Sequence, residues 1–231
     1  MDNSICDEAE LLLTVSATID AVDDDFTGTP VGAGETTPTV FTNDEGDGGV
    51  QGTDALLTTP TVVLDGGLTG LTFNPDGTAN VPAGTSSGTY TVTYEICLEA
   101  DLATCDQADV QITVLPTIDA VNDDFTANPV DAGGTTSTVF TNDEGDGGVQ
   151  GTDALLTTPT VVSDGGLTGI MFNADGTANI PVGTSSGTYT VAYSICLEAN
   201  NSICDQADVL ITVPQTIVAA NDDFTGSPVD A

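Results

Sequence analysis

Thr89-Tyr90-Thr91-Val92-Thr93-Tyr94-Glu95-Ile96-Cys97-Leu98 reads as a β-strand with one dry face and one wet face. Tyr90, Val92, Tyr94, Ile96 and Leu98 take alternate positions, with Thr91, Thr93, Glu95 and Cys97 between them, and a period of two marks a half-buried strand. Downstream, Val110, Ile112 and Val114 alternate with Asp109, Gln111 and Thr113 in the same way. Upstream, Asn74-Pro75-Asp76-Gly77 is a turn: proline presets φ and glycine accepts a positive one. It separates Leu71-Thr72-Phe73 from Ala79-Asn80-Val81, and further strands are expected around residues 19–26, 39–42 and 61–64.

The same strand recurs, and the chain proves to be a tandem repeat. Thr18-Ile19-Asp20-Ala21-Val22 returns as Thr117-Ile118-Asp119-Ala120-Val121 and again, more loosely, from Thr216, always 99 residues on. Residues 18–116 and 117–215 align without a gap and are identical at 78 of 99 positions. The expected organisation is therefore the closing strand of a preceding repeat in residues 1–17, two whole repeats at 18–116 and 117–215, and the opening strand of a following one in 216–231. A period this long fits a whole small domain rather than a short solenoid unit. Glu8-Ala9-Glu10-Leu11-Leu12-Leu13 would pass for a helix alone, but its counterparts Gln107–Ile112 and Gln206–Ile211 are β-branched, so a strand is expected there too. About seven short strands per repeat, with turns between them, predict an all-β chain of immunoglobulin-like antiparallel β-sandwich domains. No tryptophan is present, so the Cys…Trp…Cys core of antibody domains is excluded.

Composition removes several functions. Of 231 residues, 36 are Asp or Glu and none is Lys, Arg or His, giving a net charge of −36. Without Lys or Arg to neutralise phosphate, nucleic acid and anionic membrane surfaces should repel the chain. The usual general base and the cationic clamps of catalysis are missing, and no apolar run approaches the roughly 20 residues of a membrane span. Acid pairs of the kind glycosidases use are abundant here by composition alone, so an enzyme is not expected.

Five cysteines punctuate the repeats. Cys97 and Cys105 bracket a seven-residue loop, Cys196 and Cys204 do the same 99 residues later, and strand parity places both members of each pair outward. Two intra-repeat disulfides and an oxidising, extracellular setting follow. Cys6 aligns with Cys105, and its partner would precede residue 1.

The acids cluster at two places. One group opens each repeat: Asp20, Asp23, Asp24 and Asp25, then Asp119, Asn122, Asp123 and Asp124, then Asn221, Asp222 and Asp223. The other is the loop Asn43-Asp44-Glu45-Gly46-Asp47-Gly48, repeated with Asn142, Asp143 and Asp146. Oxygen side chains at loop positions 1, 3 and 5, glycine at 6 and Asp54 at 12 are a degenerate echo of an EF-hand loop. Hard oxygens crowded together with no cation nearby are expected to bind Ca²⁺ at the repeat junctions.

The order Ala-Val-(Asp/Asn)-Asp-Asp-Phe, Val-Phe-Thr-Asn-Asp-Glu-Gly-Asp-Gly, Phe-Asn-x-Asp-Gly-Thr, Gly-Thr-Tyr-Thr-Val-x-Tyr and a final Ile-Thr-Val resembles the cadherin-like and immunoglobulin-like tandem repeats of giant bacterial surface proteins and adhesins. That resemblance covers each whole repeat and implies a β-sandwich, calcium stiffening the junctions, and display at the cell surface. The expected function is a structural segment of an extracellular fibre or adhesin stalk, its partners being neighbouring repeats or further copies of itself. Thr58-Thr59-Pro60 and Thr85-Ser86-Ser87 suit O-linked glycans. A calcium-dependent carbohydrate- or surface-binding module is the alternative, as is a pilus subunit assembled by donor-strand exchange through residues 1–15.

Overall fold

A computed structural model describes residues 9–217. The chain divides into two compact units, Met1–Leu115 and Pro116–Ala231. In the first unit, β7 (Gly88–Leu98) and β8 (Asp101–Val114) form a long antiparallel hairpin, with β4 (Thr61–Leu64) antiparallel to β7 and β1 (Asp24–Asp25) beside β8. Two short hairpins, β2 (Glu45–Gly46) with β3 (Val50–Gln51) and β5 (Thr72–Phe73) with β6 (Ala79–Asn80), build the opposing layer. The second unit repeats this with β9 (Asp123–Asp124), β10 (Glu144–Gly145), β11 (Val149–Gln150), β12 (Thr160–Ser163), β13 (Met171–Phe172), β14 (Ala178–Asn179), β15 (Gly187–Leu197) and β16 (Asn200–Val213). Each unit is thus an all-β sandwich.

The alternating faces seat as their period requires. Val92, Tyr94, Ile96 and Leu98 of β7 and Val110, Ile112 and Val114 of β8 are buried, and they meet Val40, Phe41, Leu57, Leu68, Leu71 and Val81 from the opposing layer. Burying such side chains stabilises by about 1.5–3 kcal/mol each, so this seam is the main source of stability in a unit.

Four features depart from the sequence reading. The sheet is not wholly antiparallel: β1 runs parallel to β8, with Asp24 beside Val110 and a further parallel bridge from Val31 to Val114. Residues 40–42 form a 3₁₀ turn instead of a strand, because Val40 and Phe41 are both buried and successive strand residues would face opposite ways. The Thr39 hydroxyl accepts from the Phe41 N–H and donates to the Asp76 carbonyl, which fixes the turn. Residues 9–13 carry no regular structure, having no neighbouring strand among the described residues to take their backbone hydrogen bonds. Lastly, the segment between the cysteines is not a seven-residue loop: β7 continues to Leu98, pairs with Asp101, and the extra residues 102–104 bulge out of β8.

The turn after β5 forms as read: the Gly77 N–H donates to the Asn74 carbonyl at 3.0 Å, and Gly77 has φ +80°. Its counterpart Asn173-Ala174-Asp175-Gly176 closes identically without the proline, so glycine is the indispensable residue.

Candidate functional site

In each unit one buried tyrosine hydroxyl gathers acids from two separate segments. Tyr94 points inward from β7, where alternation puts it, and its ring sits against Phe73 at 5.7 Å between centroids. Its hydroxyl lies 3.0 Å from Oδ2 of Asp24 on β1 and 3.1 and 3.2 Å from the two carboxylate oxygens of Asp44. Asp24 is only 7% exposed and Asp44 not at all. The Val22 N–H donates to Asp44 Oδ1 at 2.8 Å, while the Asn43 amide donates to the carbonyls of Val22 and Asp23 and ties the loop to the strand. Around this centre, Asp23 accepts from the Asp109 N–H and Asp106 accepts from the Ala21 N–H.

The electrostatics follow from burial without any positive side chain. Burial pushes the Asp24 carboxyl up to about 7, the hydrogen bond from Tyr94 opposing and the charge of Asp44 reinforcing the rise. Burial likewise raises Asp44 to about 6, with Asp106 and Asp20 adding like charge and the Val22 N–H and Tyr94 hydroxyl pulling down. One hydroxyl carries one proton and cannot donate to both acids at once. The Asp24 carboxyl, raised to about 7, can supply the second below that pH.

The second unit rebuilds the set: Tyr193 approaches Asp123 at 3.1 Å and Asp143 at 3.1 and 3.2 Å, and the same acids rise to about 7 and about 6 through burial first. Asn122 replaces Asp23 yet still accepts from the Asp208 N–H at 2.8 Å, so accepting that hydrogen bond does not require a charge. Asn142 donates to the carbonyls of Val121 and Asn122, and the Ala120 N–H donates to Asp205.

The structure therefore brings together Asp23, Asp24, Asn43 and Asp44, and Asn122, Asp123, Asn142 and Asp143, with Asp20 and Asp119 near enough to act on the buried acids electrostatically. It sets others apart. Asp25 and Asp124 accept from the hydroxyls and then the backbone N–H groups of Thr27 and Thr126, which holds their carboxyls below the usual range, while Asp47 and Asp146 accept from the N–H groups of Thr18 and Thr117. Asn221, Asp222, Asp223 and Cys6 lie outside the described residues. Tyr94, Asp106 and Asp109 are the members the sequence reading lacks. The two acids stand in both repeats as Asp205 and Asp208, a signal that was available.

Hard oxygens without a cation suit a divalent ion in their chemistry. In arrangement, N–H and O–H donors hold them in pairs. Among the described residues the set of three acid or sulfur groups whose ligand atoms converge within 4.8 Å is Glu95, Cys97 and Cys105, and its two sulfurs are joined to each other. Cys97 with Cys105 and Cys196 with Cys204 are disulfides between directly opposite residues of each hairpin, 4.0 Å apart at Cα.

Each unit also carries an open hollow, of about 260 Å³ between Thr39, Thr42, Gln51, Thr53, Asp54 and Asp76, and about 240 Å³ at the matching residues. Phe41 lies beneath the first and is buried, so it offers no ring face for a sugar to stack on. No helix among the described residues is long and apolar enough to cross a membrane.

Neither a protein-family model nor a curated protein sequence matches the chain. Among solved structures it is similar to the endo-fucoidan hydrolase MfFcnA4 of glycoside hydrolase family 107, with 16% identity over 92% of this chain and 31% of that one and a TM-score of 0.34. It is similar to mouse cadherin-23 EC22–24 at 14% identity over 86% of this chain and 64% of that one, TM-score 0.39. Human CDH23 EC21–23 gives 11% identity over 85% and 64%, TM-score 0.40. The chain spans less than two thirds of each of these, and likenesses at such scores carry no argument about what it does.

Proposed function

We propose that the chain is a structural segment of an extracellular fibre or adhesin stalk, built from tandem sandwich units and not catalytic. The observation that carries this is the repetition itself: both units keep the same disulfide-clamped hairpin and the same buried Asp–Tyr–Asp centre. Duplicated architecture adds length, whereas a catalytic site is needed once. The disulfides support an oxidising compartment, and the exposed threonines of the wet face offer positions for O-linked glycans.

Calcium belongs to this reading. Asp20, Asp23, Asp24, Asn43 and Asp44 would hold it in the first unit, and Asp119, Asn122, Asp123, Asn142 and Asp143 in the second, their oxygens drawing together from the donors that hold them in pairs. When bound, the ion supplies the positive charge the chain lacks and offsets the mutual repulsion of these acids. An ion that binds only the folded form adds RT ln(1 + [Ca]/Kd), about 4 kcal/mol at a thousandfold excess over Kd. Calorimetry of the intact chain, with millimolar calcium and then with chelator at matched ionic strength, checks it. A melting temperature that falls on chelation, together with a titration giving one ion or more per unit, is the expected result. No heat of binding and an unchanged melting temperature would leave the acids as a hydrogen-bonded set only.

A further inference from the structure

Residues 9–15, Ala9-Glu10-Leu11-Leu12-Leu13-Thr14-Val15, lie outside every sheet, and Leu11, Leu12, Leu13 and Val15 are 88, 94, 77 and 82% exposed. Four bare apolar side chains in five residues form a surface built to be covered. The 99-residue period shows by what. Leu11 stands where Val110 and Val209 stand, Leu13 where Ile112 and Ile211 stand, and Val15 where Val114 and Val213 stand, and all six counterparts are at most 3% exposed. Leu12 stands where exposed Gln111 and half-buried Leu210 stand, on the opposite face. The segment thus carries the inward pattern of β8 and β16 without the sheet those strands complete.

We infer that residues 9–15 are a closing strand for a repeat body of this same kind that lacks its own β8. The register follows from the first unit, where Val110 lies opposite Val92, Ile112 opposite Tyr90 and Val114 opposite Gly88. Leu11, Leu13 and Val15 take those places beside a β7-type strand, and Leu12 faces out. A complete unit offers no such slot, because β8 already fills it. The inference rests on the tandem-repeat reading above and names the partner that reading needs.

The test keeps the whole chain and places a second copy of residues 18–99 ahead of Met1, which preserves the period because residue 1 matches residue 100. Amide hydrogen exchange at residues 9–15 should slow by about a hundredfold or more relative to the chain as it stands. Peptide mapping should find Cys6 joined to the added counterpart of Cys97. In the extended chain Leu13→Asp should abolish that protection, whereas Leu12→Asp should keep it. Unchanged exchange on extension, or equal effects of the two substitutions, would overturn the inference. So would a dimer of the unextended chain with residues 9–15 already protected, since two complete copies would then be covering the segment. The calcium response of the two complete units is read in the same samples, so a failure here is distinguishable from a failure of the stalk reading.

Discussion

Tyr94 owes its place to its neighbours on β7, and its hydroxyl then decides how two acids can be buried. Removing that oxygen alone, as Tyr94→Phe, strands Asp24 and Asp44 without their shared partner and should destabilise the first unit by about 1–3 kcal/mol. Chemical denaturation followed by exchange at unit-specific amides should show the second unit unaffected. The pH dependence has a definite sign. Asp24 rises from an ordinary 3.8 to about 7 and Asp44 to about 6, so the folded unit binds protons that the unfolded chain has released. Stability from this source is whole below the ordinary value and is lost as pH climbs through the raised ones. Calcium-free chain should therefore melt lower at about pH 8 than at about pH 5, and Asp24→Asn combined with Asp123→Asn should flatten the slope. Scanning calorimetry across that window checks both. Asp24 and Asp44 were legible in the sequence as clustered acids, but the hydroxyl between them was not. Alternation says only that Tyr94 faces inward, and which loop arrives above it depends on how the chain returns.

At the scale of the element, the β7–β8 hairpin was legible almost to the residue because one face is buried, and a slip by one position would turn every core side chain outward. The turn at residues 40–42 was not, since a Val-Phe pair has no period. Cysteine parity gave the pairing, while the bulge at residues 102–104 left no mark in the spacing. Replacing both Cys97 and Cys105 by Ser should cost about 2 kcal/mol, the entropy of so short a loop, and should loosen amides at the hairpin tip first. Two adjacent glycines before β5 offer a sharper test. Gly66 and Gly67 both have positive φ, but a Cβ on Gly66 would strike the Thr91 carbonyl of β7, whereas one on Gly67 meets nothing within 4 Å. Gly67→Ala should cost about 1–2 kcal/mol through backbone strain alone. Gly66→Ala should cost clearly more, because strand backbone must move. Equal losses in denaturant titrations would mean that β7 yields without resistance.

For the whole molecule, the charge of −36 with no Lys, Arg or His means that screening has no attractive side-chain pairs to weaken. Raising sodium chloride from about 20 to 200 mM, which shortens the Debye length to below about 10 Å, should raise the melting temperature monotonically. A fall with salt would point to attractions that the composition does not contain. The repeat was the most legible feature of all, although the strand it favoured over a helix at residues 8–13 does not form at residues 9–13. What a period cannot convey is the direction in which distant strands meet, and the parallel contact of β1 with β8 is the case in point. Those two strands are the first and last of their unit, joined by Phe26 N–H to the Gln111 carbonyl, Val31 N–H to the Thr113 carbonyl and Leu115 N–H to the Val31 carbonyl. A pull applied where the backbone enters the unit and where it leaves draws these strands past each other lengthwise. The hydrogen bonds and the core side chains beneath them are then loaded in shear and must fail together, not one at a time as in peeling. A rope made of such links would resist tension through its slow rate of unfolding, and single-molecule stretching would read that resistance as a tall, sharp force peak for each unit.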